Sequence, residues 1–275
     1  MHANTGFGGR AYLYPATDLN PARAFLDVNR RLSSAIASVL PQQHDMPEVR
    51  YAEFVVRAIR RKPDQLVVDV GGGKTLRYAE WIAPGEARIV AVDISEAELS
   101  VNEHVSETRV GDVTKHMPFE DAEVDVITSS SVLEHLPDVD GFFAEASRVL
   151  KEGGVMIHVF PGRYAPFAVL NRMLPESAKR WLLFRLYPET RGLCGFRAFY
   201  HYCYFDAMVR ECEQNDFEIV SAVPGYFGSS FYVTVFFPLF LLTRLWELTA
   251  WGFRARNLAA QVTIEARRLP RNPAK

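Results

Sequence analysis

Three acidic residues stand at similar places behind short apolar segments of the chain. Asp69 begins the glycine-rich sequence DVGGGKT at residues 69–75, Asp93 ends the segment RIVAVD, and Asp112 lies in GDV. Glycines allow the backbone to turn sharply and to approach a ligand closely. A carboxylate after the second strand can accept hydrogen bonds from two ribose hydroxyls, and one after the third could accept from an adenine amino group. The spacing therefore predicts a nucleoside site.

Alternating apolar and amphipathic segments must position these carboxylates. Strands are predicted at 65–70, 88–92, 108–110, 124–128 and 155–160, and helices at 75–82, 95–103 and 140–150. Such alternation is typical of a doubly wound α/β fold with a mostly parallel sheet. The carboxyl ends of parallel strands meet at one edge of the sheet, where these folds bind ligands. We therefore expect the three acids to lie along that edge.

The same segments carry a resemblance to a known family. VVDVGGG (67–73), VAVDIS (90–95), GDV (111–113), VDVITSSSVLEHLPD (124–138) and VLKEGGVMIHVFP (149–161) resemble class I S-adenosylmethionine-dependent methyltransferases, especially their small-molecule branch. The resemblance implies a seven-stranded, Rossmann-like sheet, S-adenosylmethionine as cofactor, and methyl transfer to a small-molecule acceptor. The family's last strand runs antiparallel between the fifth and the sixth. Segments 217–223 and 260–267 can fill those final positions.

The resemblance also implies which residues bind the cofactor. The first turn frames its amino-acid moiety, Asp93 holds the ribose, and Asp112 with Val113 frames the adenine. The segment after the fourth strand closes the pocket. The full predicted set is Asp69, Gly71, Gly72, Gly73, Asp93, Ile94, Asp112, Val113, Ser129, Ser130 and His135. One departure from the family pattern is Thr75, which stands where the third glycine of D-x-G-x-G-x-G usually lies.

The rest of the chain predicts an extension and two insertions. Residues 1–62 are expected to form an N-terminal helical extension, with helices at 21–40 and 48–61, and residues 63–270 the cofactor-binding domain. The first helix carries apolar residues at helical spacing, namely Phe25, Val28, Leu32, Ile36 and Val39. The insertions, 162–200 and 225–257, follow the fifth and sixth strands. We therefore expect both to stand over the methyl donor as a lid or substrate chamber.

The two insertions differ in chemistry, which bears on the acceptor. The first has seven Lys and Arg against two Glu, and the second is apolar, with Leu241, Leu245 and Leu248 on one helical face. One interpretation is a hydrophobic, lipid-linked or phosphate-bearing acceptor, together with contact to the membrane interface. The other is that the apolar insertion packs on the sheet or forms a homodimer interface.

Methyl transfer to oxygen can require a general base. His201, between Tyr200 and Tyr202 near the lid, is the best candidate base, and the two tyrosines are candidates to orient the acceptor. His135 is expected to contact the cofactor, and His158, inside the fifth strand, to be a hydrogen-bonded core histidine. The sequence shows no acidic cluster or histidine pair that would indicate a metal.

Composition limits the setting in which the protein works. The net charge of −2 gives no basic field for nucleic acid. Three cysteines without a C-x-x-C pair favour free thiols and a cytoplasmic location. The N-terminus lacks the apolar core of a signal peptide. Glycines and a proline interrupt the charge-free segment 219–243, which therefore does not predict a transmembrane helix.

Other functions remain open at the level of sequence. The acceptor could be a soluble polar metabolite or a sugar instead of an apolar molecule. The chain could bind the cofactor without catalysis and act as a scaffold. A dehydrogenase is disfavoured, because it would leave the GDV sequence and the segment from Leu133 to Leu136 without a role.

Overall fold

The computed structural model describes residues 21–39, 47–175, 177–178, 181, 197–228 and 236–270. The strands are β1 (Leu66–Val70), β2 (Arg88–Asp93), β3 (Glu107–Val110), β4 (Val124–Ser130), β5 (Leu150–Pro161), β6 (Phe217–Gly225) and β7 (Gln261–Arg268). The longer helices are α1 (Pro21–Val39), α2 (Pro47–Ile59), α3 (Glu96–Leu99), α4 (Val139–Val149), α5 (Pro166–Met173), α6 (Phe205–Gln214) and α7 (Phe237–Gly252). Short 3-10 helices lie at Ala79–Trp81, Leu133–His135 and Arg256–Leu258.

One seven-stranded sheet has the order β3-β2-β1-β4-β5-β7-β6. β1 to β5 pair in parallel, whereas β7 is antiparallel to both β5 and β6. The predicted fold class and the antiparallel last strand are therefore confirmed. The strand order reverses between β1 and β4, and this switch point opens a crevice at the carboxyl ends of the strands.

The sheet is covered on both faces, which explains why its central strands are almost continuously apolar. All five residues of β1 are buried. On one face α2 contributes Tyr51 and Val55 to a core with Val67. On the other face, α4 contributes Phe142 and Phe143 to the larger core. The crevice thus rests on a rigid support.

Two predicted helices are much shorter than expected. The prediction at 75–82 is wrong apart from the 3-10 turn, because Leu76 and Tyr78 are both buried, a spacing of two that one helical face cannot provide. Of the helix predicted at 95–103, only α3 forms. Ser95 caps α3 as expected, its Oγ accepting from the backbone N–H of Glu98 at 3.3 Å. α3 ends at Leu99, and in the loop that follows Asn102 Oδ1 accepts from the N–H of His104 at 3.1 Å.

The N-terminal helices take separate places. α2 packs on β5 and β7, whereas α1 makes its main contacts with α7 of the second insertion. Residues 1–20, residues 182–196 of the first insertion and residues 229–235 of the second lie outside the described residues. Within the described ranges, we find no helix with both the length and the apolar character needed to cross a membrane.

Candidate active site

The turn after β1 is a cradle of bare backbone. Gly71 has a φ of +66°, and a Cβ atom there would lie 2.3 Å from Cγ2 of Val132. A Cβ atom at Gly72 would lie 2.7 Å from that of Ala91. The Gly71 N–H donates to the carbonyl of Val92 at 2.7 Å, which fixes the turn against β2. Side chains are therefore sterically excluded, and a ligand can approach the backbone closely.

A buried asparagine also fixes the glycine turn in place. The Nδ2 group of Asn102 donates to the carbonyl oxygen of Gly72 at 2.7 Å. Asn102 follows α3, so it ties the second crossover to the first turn. Asn102 was not predictable from the sequence, because no local pattern shows that a loop amide will bond to a carbonyl 30 residues earlier.

Asp93 joins the end of β2 to the glycine turn. Its Oδ2 accepts from the N–H of Gly73 at 3.3 Å, and its Oδ1 accepts from the N–H of Ser95 at 2.9 Å. A carboxylate offers about four lone-pair sites, so acceptor capacity remains for two hydroxyl groups. Ile94 follows and is 61% exposed. The ribose role of Asp93 stays a prediction.

Asp69 is the most buried acid of the predicted set. The hydroxyl of Thr128, its partner on β4, donates to Asp69 Oδ1 at 2.7 Å. Burial raises the pKa of Asp69 to about 7, against the opposing effects of the Thr128 hydrogen bond and the charge of Arg77. Thr128 also lies 3.3 Å from the hydroxyl of Tyr78. A carboxyl with this pKa changes charge near neutral pH.

A cleft of ≈180 Å³ lies over the glycine turn, and its lining combines groups of both charges. The lining residues are Asp69, Val70, Gly71, Gly72, Gly73, Lys74, Thr75, Arg77, Glu98 and Ser130. Thr75, at the position of the missing third glycine, is accommodated in this lining. The cleft thus brings the first turn together with the end of β4, whereas Asp93 and Asp112 are not among its lining residues.

Asp112 lies after β3 and has its own partners. Its Oδ1 accepts from the Thr114 hydroxyl at 2.7 Å, and its Oδ2 pairs with Nζ of Lys115 at 2.8 Å. These hydrogen bonds, first from Lys115 and then from Thr114, lower the pKa of Asp112. Val113 is buried in the core. The carboxylate therefore stabilises a turn here, and its contact with adenine stays a prediction.

The two serines at the end of β4 point to opposite sides of the sheet. Ser130 lines the cleft. Ser129 is fully buried, and its Oγ lies 2.7 Å from Nδ1 of His158. His158 is a core residue, and burial lowers its pKa to about 3. The structure thus brings Ser130, but not the Ser129 hydroxyl, to the cleft.

The segment after β4 is tied to the first insertion. Nδ1 of His135 lies 3.1 Å from the carbonyl of Arg197. The carbonyl of Glu134 accepts from the backbone N–H groups of Phe199 and Tyr200 at 2.7 and 3.0 Å. The pocket-closing segment and the described end of the lid therefore form one unit.

Glu134 is a titratable group outside the predicted site residues. It is only 4% exposed, and burial raises its pKa to about 8. Its Oε2 has no hydrogen-bond partner among the described residues. The available signal was an acid between two buried leucines in L-E-H-L, where a charge is costly. Glu134 is therefore protonated at neutral pH.

The three predicted catalytic residues do not converge. Tyr200 is 3% exposed, and its hydroxyl lies 3.5 Å from Nδ2 of Asn171. His201 is exposed and stacks on Phe199 with ring centroids 5.7 Å apart, and Tyr202 is 37% exposed. Of the three, only Tyr200 is enclosed beside the closing segment. The base role of His201 and the orienting role of Tyr202 stay predictions.

The basic lid is described in part. Arg163, Arg172 and Arg197 are described, whereas Lys179, Arg180, Arg185 and Arg191 lie outside the described residues. Nη1 of Arg163 donates to the carbonyl of Tyr200 at 2.8 Å. Among the described residues, no cluster of three or more His, Cys, Asp or Glu side chains is arranged to hold a metal ion.

Comparisons with known proteins agree with this geometry. The methyltransferase-domain family matches residues 68–158. A ubiquinone biosynthesis O-methyltransferase of Hahella chejuensis is 31% identical over 182 residues, covering 61% of this chain and 75% of that protein. A demethylmenaquinone methyltransferase of Thermobifida fusca is 29% identical over 175 residues, covering 57% and 72%. Among solved structures, a methyltransferase in complex with the Haloferax volcanii Trm112 activator matches with a TM-score of 0.54 and 12% identity, covering 91% of this chain and 99% of that one, which supports the fold.

Proposed function

The chain belongs to the class I S-adenosylmethionine-dependent methyltransferases, and from that premise we propose that it methylates an apolar small molecule that carries an anionic group. S-adenosylmethionine is its methyl donor. The alternative of a cofactor-binding scaffold without catalysis is set aside, because the relatives are named as methyltransferases.

The residues of the cleft fit this cofactor, together with Asp93, which is hydrogen-bonded to Gly73 of the cleft lining. The steric exclusion of side chains at Gly71 and Gly72 leaves backbone for its amino-acid moiety, and Asp93 retains acceptors for the ribose hydroxyls. The cofactor supplies an activated methyl group on a sulfonium, so the protein's main task is alignment. The glycine turn, Asp93 and Ser130 bind and orient one reactant. The lid must orient the other and exclude water.

The observation that carries the acceptor proposal is the composition of the insertion after β5. β5 runs parallel to β4 with Ser130 opposite Val159, so α5 follows from the same edge of the sheet as the cleft. α5 and the residue 181 beyond it expose large apolar side chains, namely Leu170, Met173 and Trp181. Arginines 163, 172 and 197 belong to the same insertion.

This surface combines apolar area with cationic groups that match a carboxylate, phenolate or phosphate. Both relatives have names that refer to quinones, which agrees with an apolar acceptor. A soluble sugar or polar metabolite would not require exposed apolar side chains such as Met173 and Trp181 in this insertion.

The test is methyl transfer from radiolabelled cofactor in a native extract, with the product partitioned between organic solvent and water. We expect label in the organic phase, and expect Asp93→Asn to abolish most of it. Asp206→Asn is the matched control, because Asp206 lies on α6 and pairs with Arg256, away from the cleft lining. Label confined to the aqueous phase would contradict the acceptor proposal, although the chain would remain a methyltransferase.

A further inference from the structure

Helix α1 presents its apolar side outward. Its apolar stripe is 46–77% exposed, at Phe25, Val28, Leu32 and Val39. In contrast, the polar residues Asn29 and Ser33 are buried. An amphipathic helix of a globular protein ordinarily turns its apolar stripe to the core. The orientation of α1 is therefore inverted.

Helix α7 also turns apolar residues outward. These include Leu242 and Leu245, which are 66% and 64% exposed, and also Leu241, Trp246 and Trp251. Its buried side holds Phe240 and Ala250 together with the polar residues Thr243 and Glu247. Glu247 pairs with Arg244 at 2.7 Å and accepts from the N–H of Gly228 at 2.9 Å. The two charged residues of α7, Arg244 and Glu247, thus pair with each other on its buried side, and its outward face carries no charge.

Helices α1 and α7 contact each other. Oδ1 of Asn29 accepts from the N–H of Phe237, the first residue of α7, at 2.8 Å, and α1 packs against α7. The polar side of α1 is thus used to hold α7. Apolar area in water costs about 25 cal/mol per Å² relative to burial, so two such outward faces indicate that something covers them.

The charged residues near these two apolar faces favour one kind of binding partner. Arg30 and Arg31 are exposed on α1, and Arg254 is exposed just after α7, against one exposed acid on α1, Asp27. An isologous dimer would bring these arginines of two copies into one interface, where like charges repel. Lipid phosphates would instead pair with them. Tryptophans such as Trp246 are suited to the headgroup level of a bilayer.

We propose that α1 and α7 dock the protein on an anionic lipid bilayer, with their apolar faces at the boundary of headgroups and acyl chains. α7 has 16 residues, or about 24 Å of helix, which suits a helix lying in the interface and not one crossing it. This inference goes beyond the proposed methyl transfer and does not depend on the acceptor.

The test is co-sedimentation of the full chain with vesicles of phosphatidylcholine alone or with phosphatidylglycerol added. We expect the wild type to bind the anionic vesicles and to be released by salt. The double variant Leu242→Glu with Leu245→Glu should lose binding. Replacing Arg30 and Arg31 by Gln should weaken binding by roughly 25-fold, since each basic residue near the surface adds about a factor of five.

Trp246→Ser and Trp81→Ser form a matched pair, because these tryptophans are 41% and 44% exposed and only the first lies on α7. We expect weaker binding for Trp246→Ser and wild-type binding for Trp81→Ser, with unchanged thermal unfolding in both. Wild type that stays in the supernatant, or equal binding by the leucine double variant, would overturn the proposal. So would sedimentation-velocity evidence of a dimer that the leucine variant dissociates without any vesicle binding, which would assign the face to a second copy.

Discussion

The acids at the edge of the sheet differ in charge state because their surroundings differ. Asp112 has hydrogen bonds from Thr114 and Lys115 that lower its pKa, whereas burial raises the pKa of Asp69 to about 7. The same residue type, at equivalent strand ends, therefore gives one fixed charge and one that titrates near neutrality. A cationic sulfonium ligand interacts favourably with the ionised form of Asp69.

Cofactor affinity should consequently rise with pH. Below pH 7 the free enzyme must lose a proton from Asp69, so we expect the affinity to increase by up to about tenfold per pH unit between pH 5.5 and 7 and then to level off. Isothermal titration calorimetry across this range measures it. Asp69→Asn should remove the slope. Asp112→Asn, whose parent carboxyl is already ionised there, should keep it, and a flat wild-type profile would contradict the role of Asp69.

Among the secondary-structure elements, the strands and the crossover helix α4 were predictable, whereas the crossovers after β1 and β2 were not. Each strand of the sheet had a local signal, since runs such as LVVDV are apolar on both faces. The loops after β1 and β2 depend instead on contacts distant in sequence, such as Tyr78 against Thr128 and Asn102 against Gly72. The predicted cofactor residues of the first turn and Ser130 share the cleft. The three catalytic candidates do not converge, since Tyr200 is buried whereas His201 and Tyr202 are exposed.

The glycine turn offers a direct test of close approach. Gly71→Ala adds a methyl group 2.3 Å from Cγ2 of Val132, so we expect the loss of about 2–4 kcal/mol of stability and most cofactor binding. Thermal unfolding and cofactor titration measure these losses. Gly85→Ala is the matched control, because Gly85 also has a positive φ but no atom within 4 Å of the added Cβ.

If the clash is the cause, Val132→Ala should restore part of the stability of Gly71→Ala in a double-mutant cycle. Equal effects of Gly71→Ala and Gly85→Ala would instead show that backbone strain alone is responsible. Glycine at position 71 would then be required by the backbone conformation of the turn and not by the close approach of Val132.

For the molecule as a whole, two buried titratable groups lower the stability at opposite ends of the pH range. His158 has a pKa lowered to about 3, so its neutral form stabilises the fold above the ordinary histidine pKa and this stability is lost as pH falls toward 3. Glu134 has a pKa raised to about 8, so its contribution is full below its ordinary pKa of 4.5 and is lost as pH rises toward 8. The contributions of these two groups should therefore be most favourable together between their ordinary pKa values, at about pH 4.5 to 6.5.

Glu134→Gln should therefore stabilise the protein at neutral and higher pH. Glutamine has the shape of the protonated carboxyl that the folded state retains, and it does not ionise in the unfolded state. We expect the free energy of unfolding of the variant to exceed that of the wild type by a growing margin from pH 5 to pH 8, reaching a few kcal/mol. Urea unfolding at four pH values measures the margin. Glu103→Gln, at an exposed loop position, should give a margin that does not change with pH. A constant margin for Glu134→Gln as well would mean that the carboxyl reaches water in solution, and that the lid does not close over it.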